Sequence, residues 1–309
     1  MLLLFVLVLI VICIYYALNL HRKAKEPFAT YDAIYSELYD AVWDDQDRYR
    51  AEVEYISKNL RSTPLSILDL ACGTGNHLKH WAEKWPNANV TGMDLSDHQL
   101  LKAREKHPDL NLIQGDYLHR ENFRKETFDV IACLYDAAQY TDNMKTLFLN
   151  IFHWLKPGGK FIFHGIDASK LCDSCNQLAS NTDLPFRTNK NGHCVVLYPN
   201  FVYTSWWSTS NPSNWARYNE VFMKTDVNNW PSNWDVSKDV ETNVPIGMRR
   251  HAKVKNLMTN GHRLYLLNPS IIEQIGRAAG FKKAEKNPKN DIHLMRNQGS
   301  EEYFIFFEK

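Results

Sequence analysis

The sequence predicts a doubly wound, mostly parallel α/β sheet, and three observations carry that prediction. Short apolar runs of strand length alternate with helical segments from Ile67 onward, the pattern of successive strand-helix units. Three of those runs end in or contain an aspartate at the point where a strand gives way to a loop, at Asp69, Asp94 and Asp116. The first is followed by a glycine turn, Ala71-Cys72-Gly73-Thr74-Gly75, that opens into a helical pattern at Asn76. Ligands of such sheets lie outside the carboxyl ends of the strands, so these acids gather on one edge.

Before the sheet, Tyr31, Tyr35 and Tyr39 recur at four-residue spacing and form one stripe of a helix, either packed on the sheet edge or acting as a lid. Ile67 to Leu70 is the first strand. Gly73 and Gly75 then let the backbone approach a ligand and adopt positive φ. A pyrophosphate calls for a third glycine at the helix start, but Asn76, His77 and Leu78 stand there instead. Val90 to Asp94 is the second strand, and Asp94 lies about 20 residues past the turn, where a carboxylate can chelate two ribose hydroxyls. Leu95 to Lys106 reads as a helix, Leu112 to Asp116 as a third strand and Phe128 to Leu134 as a fourth. Met144 to Leu155 is a helix, and Lys156 to Gly159 is a turn into a fifth strand, Lys160 to His164.

Beyond the fifth strand, Val195 to Trp207, Trp215 to Thr225 and Val244 to Met258 are expected as strands of an inserted antiparallel β region spanning 190–262. The chain returns at His262. Pro269 begins a helix that Gly280 stops, and Phe281 to Lys286 with Tyr303 to Phe307 are expected as closing antiparallel strands joined by a loop over Asn287 to Ser300.

The 309 residues are 44% hydrophobic and 23% charged, an ordinary globular composition. A net charge of +1 offers no basic face for nucleic acid, and none is expected as a partner. Met1 to Leu18 carries no charged side chain, and residues 1–20 read as a short transmembrane anchor for a hydrocarbon core of about 30 Å. The basic juxtamembrane linker 21–29, with Arg22, Lys23 and Lys25, follows the apolar run, the reverse of a cleaved signal. The positive-inside rule therefore places the body, residues 30–309, in the cytosol of a single-pass membrane protein. A buried helix or an uncleaved signal with a luminal body is the competing reading. Cys172, Cys175 and Cys194 have metal-ligand composition, but their spacing is not that of a recognised zinc site; unbridged thiols are expected and no metal is assigned, with a structural metal and a disulfide as the alternatives.

The run from Ile67 to Gly75, with Asp94 and Asp116 behind it, resembles motif I and the following landmarks of the class I S-adenosylmethionine-dependent methyltransferases. The resemblance implies that family's seven-stranded Rossmann-like sheet and S-adenosyl-L-methionine as cofactor. It assigns Asp69, Ala71, Gly73 and Gly75 to the amino acid end of the cofactor. Asp94 falls to the ribose, Asp116 to the adenine amino group and Tyr117 beside the ring; Tyr31 belongs to the segment that covers the cofactor, and Leu95 and Tyr135 are further cofactor-binding residues. The opening tyrosine helix and the added sheet look like the glycine and nucleotide-sugar amine N-methyltransferases, where such a sheet roofs the substrate pocket. Trp206, Trp207, Trp215, Trp230 and Trp234 lie in this region, suited to stacking on a sugar or base and equally to core packing.

A methyl acceptor must lose a proton, and the base should follow the fourth strand. There Asp136 can orient an amine or take its proton. Tyr140 stands where the sugar amine enzymes commonly carry a histidine, a departure that counts against sugar amine chemistry, and it is read as a hydrogen-bond donor. His164, closing the fifth strand, is a second candidate base. The chain thus reads as a membrane-tethered methyltransferase for an amine or hydroxyl of a small molecule, whether metabolite, sugar nucleotide or lipid headgroup. The alternatives are mRNA cap guanine methylation, disfavoured by the absence of a basic run, and a non-catalytic cofactor-binding module. The acceptor atom and the oligomeric state stay open.

Overall fold

The computed structural model describes residues 31–60, 62–167, 187–190, 193–198, 201–209, 214–224, 255–283 and 302–309. The expected anchor 1–20, the linker 21–29, Cys172, Cys175, Trp230, Trp234 and the loop 287–300 lie outside the described residues, as does the side chain of Cys194. Among the described residues no helix is long and apolar enough to cross a membrane, and no cluster of His, Cys, Asp and Glu could hold a metal ion.

Helices α1 (Ala33–Trp43) and α2 (Gln46–Lys58) precede β1 (Ser66–Leu70). There follow α3 (Asn76–Lys84), β2 (Asn89–Asp94), α4 (Asp97–Lys106), β3 (Asn111–Gln114), β4 (Phe128–Cys133), α5 (Met144–Trp154) and β5 (Leu155–Ile166). A second group comprises β6 (Arg187–Lys190), β7 (His193–Leu197), β8 (Phe201–Thr209), β9 (Trp215–Lys224) and β10 (Lys255–Tyr265). The chain closes with α6 (Pro269–Ala278), β11 (Lys282–Lys283) and β12 (Glu302–Glu308). The main sheet has the order β11-β12-β5-β4-β1-β2-β3, with β12 antiparallel to β5 and to β11. The second sheet is antiparallel in the order β10-β9-β8-β7-β6.

The central strands are buried on both faces, which is why they read as continuous apolar runs. On one face Val53 and Ile56 of α2 and Leu78 and Trp81 of α3 pack on Ile67, Val130 and Ile162. On the other, Leu147, Phe148 and Ile151 of α5 with Ile272 of α6 pack on Leu68, Ile131 and Phe161. Each such fully buried side chain contributes about 1.5–3 kcal/mol. Side-chain caps fix the helix starts: Ser96 accepts from the Gln99 amide, Asn143 from Thr146 and Asn268 from Ile271, with Pro269 at the first position of α6.

Helix α1 is held between the two sheets. Its Asp40 accepts from Thr74 Oγ1 at 2.6 Å and from Lys106 Nζ at 2.8 Å, tying it to the glycine turn and to α4. Its opposite side, Tyr35, Val42 and Trp43, packs with Tyr203, Tyr218 and Phe222 of the antiparallel sheet and with Ile166.

Three expected elements differ. The expected turn over Lys156 to Gly159 lies within β5: pairing with β4 jumps from Leu155 to Lys160, so these residues form an irregularity in a longer strand, and Gly159 accepts from the Lys309 amide. The single strand expected over Val195 to Trp207 is a hairpin of β7 and β8, closed by the Tyr198 amide donating to the Phe201 carbonyl. Of the strand expected over Val244 to Met258, residues 244–254 lie outside the described residues; from Lys255 the chain is β10, whose pairing with β9 runs without a break from Met258 to Tyr265. The antiparallel sheet therefore extends to Tyr265, and His262 belongs to it rather than to the returning segment.

Candidate functional site

The turn after β1 is built from left-handed residues, Ala71 (φ 56°), Gly73 (φ 56°) and Gly75 (φ 82°). It brings the Gly73 amide within 2.8 Å of Asp94 Oδ2, while the Ser96 amide donates to Asp94 Oδ1 at 2.8 Å. Asp94 is thus clamped between two loops. Burial raises its carboxyl above the ordinary range against the pull of these backbone N–H groups. Gly75 has a different reason to be glycine: a Cβ there would sit 3.2 Å from Ala103 Cβ and 3.5 Å from His107, so the position serves helix packing and positive φ rather than ligand approach.

A cavity of about 470 Å³ opens at these strand ends. The glycine turn lends it Ala71 and Gly73, the end of β2 Asp94 and Leu95, and the end of β3 Asp116 and Tyr117. Tyr135 and Tyr140 of the loop after β4 complete it with Tyr31. Two smaller spaces adjoin. One, bordered by Asp69, Tyr49 and His77, shares Ala71 and Gly73 with the large cavity. The other is an aromatic recess walled by Tyr35, Trp43, Trp207 and Tyr218, which also contains Asp136 and His262. Tyr39 and Tyr135 border all three, which marks where they meet.

Two carboxylates at this junction are buried and incompletely partnered. Among the described residues Asp69 Oδ2 and Asp136 Oδ1 have no hydrogen-bond partner, and burial pushes each carboxyl up to about 7. Asp136 follows Tyr135 in a pair of left-handed residues, φ 52° and 58°, a conformation costly for a bulky side chain and typical of functional loops. Gln139 clamps this loop to β5 by exchanging hydrogen bonds of 3.0 Å with the Ile166 backbone.

His164 does not reach any of these spaces. It is fully buried, stacked on Phe304 with centroids 4.3 Å apart, and its Nδ1 accepts from the Tyr135 amide at 3.1 Å. Its Nε2 lies 3.5 Å from Glu302 Oε2. The expectation of a second base at this position is therefore corrected: His164 fixes the loop that carries Tyr135 and Asp136.

The structure adds a pair that the sequence reading missed. His262 of β10 places Nδ1 2.6 Å from the Tyr140 hydroxyl and Nε2 2.5 Å from Oε2 of Glu220 on β9. A histidine does face Tyr140, supplied by the other sheet. The signal was Glu220 itself, an acid on the strand face that also carries Ala216, Tyr218 and Phe222, all buried.

Residues 67–159 match the family described as a methyltransferase domain. The dTDP-3-amino-3,4,6-trideoxy-alpha-D-glucopyranose N,N-dimethyltransferase of Streptomyces venezuelae is 32% identical over 136 residues, 42% of this chain and 56% of that protein. The dTDP-4-amino-2,3,4,6-tetradeoxy-D-glucose N,N-dimethyltransferase of Saccharopolyspora spinosa is 32% identical over 148 residues, 44% of this chain and 58% of that protein. The chain thus spans somewhat over half the length of these curated relatives. Among solved structures, the S-adenosylmethionine-bound amino pentose methyltransferase CalS10 of Micromonospora echinaspora superposes with a TM-score of 0.57 at 18% identity, covering 85% of this chain and 91% of that one.

The fold is that of the class I S-adenosylmethionine-dependent methyltransferases, and residues 67–159 are similar to their methyltransferase domain. Within that class, the curated relatives similar to this chain include nucleotide-sugar amine N-methyltransferases. The residues fit the cofactor on the structure's own terms. A buried carboxylate oxygen without a partner costs about 1–3 kcal/mol, and the ammonium of an amino acid tail would satisfy Asp69 Oδ2. Asp94 ends β2, Asp116 follows the end of the neighbouring β3, and both line the large cavity.

Proposed function

We propose that this chain transfers the methyl group of S-adenosyl-L-methionine to the amine of a small molecule, with a hydroxyl as the second acceptor chemistry. The observation that carries the reading is the buried, incompletely partnered carboxylate of Asp136 in a recess of aromatic rings beside the nucleoside cavity. A cation over aromatic faces gains about 0.5–2 kcal/mol, and a carboxylate supplies the opposite charge, so this recess suits an ammonium better than a neutral group. The named chemistry of the curated relatives, N,N-dimethylation of dTDP-amino sugars, supports the same choice.

When bound, S-adenosyl-L-methionine supplies an activated methyl on a sulfonium, so the protein's task is alignment and proton removal. In this reading Asp69 holds the amino acid end, Asp94 the ribose hydroxyls, and Asp116 with Tyr117 the adenine. Tyr31, Tyr39 and Tyr135 enclose the reacting end and exclude water. Asp136 receives the ammonium and takes its first proton.

The test is label transfer from methyl-labelled cofactor to matched acceptors: dTDP-3-amino-3,6-dideoxyglucose, its 3-hydroxy counterpart, and extracted lipids and small metabolites of the expressing cell. Label on an amine nitrogen is expected. Label confined to hydroxyl oxygens would overturn the amine assignment in favour of the second chemistry, and label confined to a macromolecule would overturn both.

We also propose a single-pass anchor through residues 1–20 with the catalytic domain facing the cytosol, supported by the uncharged run and the basic residues after it. The full chain should stay in the membrane pellet through alkaline carbonate extraction, while a chain beginning at Glu26 should be released. Release of the full chain would remove the anchor.

A further inference from the structure

We propose that Glu220 and His262, both carried by the antiparallel sheet, form a proton sink that acts on the methyl acceptor through the Tyr140 hydroxyl. The inference rests on the amine transfer reading and gives its second proton a route. An ammonium acceptor must lose one proton before it attacks and another after it has gained the methyl. Asp136 faces the first, and the recess that holds it also contains Tyr140 and His262, which can receive the next.

The hydrogen-bond pattern around Glu220 fixes which atoms carry protons. The carboxylate is fully buried and receives the Tyr203 hydroxyl at 2.5 Å on Oε1, with the Tyr35 hydroxyl at 2.7 Å and His262 Nε2 at 2.5 Å on Oε2. Three donors converging on one fully buried carboxyl are the arrangement of an ionised acceptor. An ionised carboxylate only accepts, so the nitrogen facing it, Nε2, bears a proton. In the neutral ring Nδ1 is then the acceptor, and the Tyr140 hydroxyl, 2.6 Å away, donates to it.

This reverses the role expected for Tyr140. Its own proton is committed to His262, so toward the acceptor its oxygen offers a lone pair. Tyr31 OH lies 2.8 Å from that oxygen and, with the Tyr140 proton turned to His262, is the donor of the pair. Tyr140 also borders both the nucleoside cavity and the aromatic recess, so its oxygen stands at the place of transfer. Among the described residues the other groups that contact the imidazole include Tyr31, Tyr35, Tyr218 and Asn260, none of which brings a second charge.

The step balances on these atoms. The methylated nitrogen gives its N–H proton to the Tyr140 oxygen while the Tyr140 O–H proton passes to His262 Nδ1. One N–H and one O–H bond break, one O–H and one N–H bond form, and Tyr140 ends neutral. The product is an imidazolium facing the Glu220 carboxylate, an ion pair confined to the protein interior. Glu220 is the positioning residue, since it selects the tautomer that leaves Nδ1 open.

The test requires no acceptor, so its outcome is independent of whether the amine reading holds. Histidine-ring nitrogen NMR on the full chain, ¹⁵N-labelled at histidine and with S-adenosylhomocysteine added, reads the tautomer. His262 is assigned by the signal lost in His262→Gln. The expected pattern is a proton on Nε2 and an acceptor-type Nδ1 at neutral pH. In Tyr140→Phe the Nδ1 signal should move downfield toward an unbonded nitrogen while the Nε2 proton is kept. In Glu220→Gln the fixed tautomer should be lost. A proton on Nδ1 in the unaltered protein, or an Nδ1 signal indifferent to Tyr140→Phe, would overturn the proposal. Those two readings stand even if Glu220→Gln fails to fold.

Discussion

Exchange of Asp136 for asparagine is expected to lower methyl transfer by about 10²- to 10⁴-fold, the range for a positioned acid or base, with S-adenosyl-L-methionine affinity unchanged. The substitution is a clean one. Asp136 sits at φ 58°, in the left-handed region that asparagine tolerates, so the loop keeps its path, whereas alanine would strain it. Cofactor affinity should hold because Asp136 borders the aromatic recess and not the nucleoside cavity.

The pH dependence separates chemistry from folding. Burial pushes the Asp136 carboxyl up to about 7, and the base works only when ionised, so turnover of the unaltered protein should rise as pH climbs through about 7 and level off above. The asparagine variant should lack that limb. The stability sign is opposite. A carboxyl raised in the folded state favours folding fully below its unfolded value and loses that contribution as pH rises toward 7. The neutral amide escapes this loss, so the variant should unfold at no lower a temperature than the unaltered protein at pH 8. Undiminished turnover, or an unchanged rising limb, would move the base elsewhere.

What the sequence disclosed and what it concealed follow from how far apart the determining residues lie. Asp69, Asp94 and Asp116 stand out because a parallel strand buried on both faces is an unbroken apolar run, and a carboxylate at its end is a local break. The tyrosine stripe is equally local, though Tyr31 precedes α1 and joins Tyr35 and Tyr39 through ring contacts at 5.1 and 6.4 Å. His164 was misread for a non-local reason. β5 continues to Ile166, and β12 lays Phe304 opposite His164, which seals the ring inside the sheet. His262 and Glu220 meet only because β9 and β10 pair with Tyr218 opposite His262 and Glu220 opposite Asn260. No periodicity within either strand encodes that register.

The largest expected loss of stability is at Arg48, and its replacement by methionine should cost about 3–5 kcal/mol, the range for breaking one side of a buried ion pair. The guanidinium is nearly buried, with Nε 2.8 Å from Glu52 Oε1 and Nη2 3.0 Å from Glu302 Oε2. Methionine fills much of the space but leaves two buried carboxylates facing each other. Glu52 keeps His77 Nε2 at 2.5 Å, so Glu302 is the more exposed to the loss. Burial would raise the Glu302 carboxyl, but the charge of Arg48, then His164, overrides it and holds it at about 2. A depressed carboxyl contributes stability above its unfolded value of about 4.3, and that contribution fades as pH falls from there toward 2. The gap between Arg48→Met and the unaltered protein in urea unfolding should therefore be widest near pH 7 and narrow below about pH 4. A gap that does not change with pH would show that Arg48 acts through packing alone. Adding Glu302→Gln should recover part of the loss at pH 7, because the stranded charge is gone. Activity has its own stake in the network, since the guanidinium lies 4.3 Å above the Tyr135 ring. Loss of that contact frees the left-handed turn that aims Asp136, so the double variant should regain stability before it regains turnover. Equal recovery of both would mean that the turn holds its shape without Arg48.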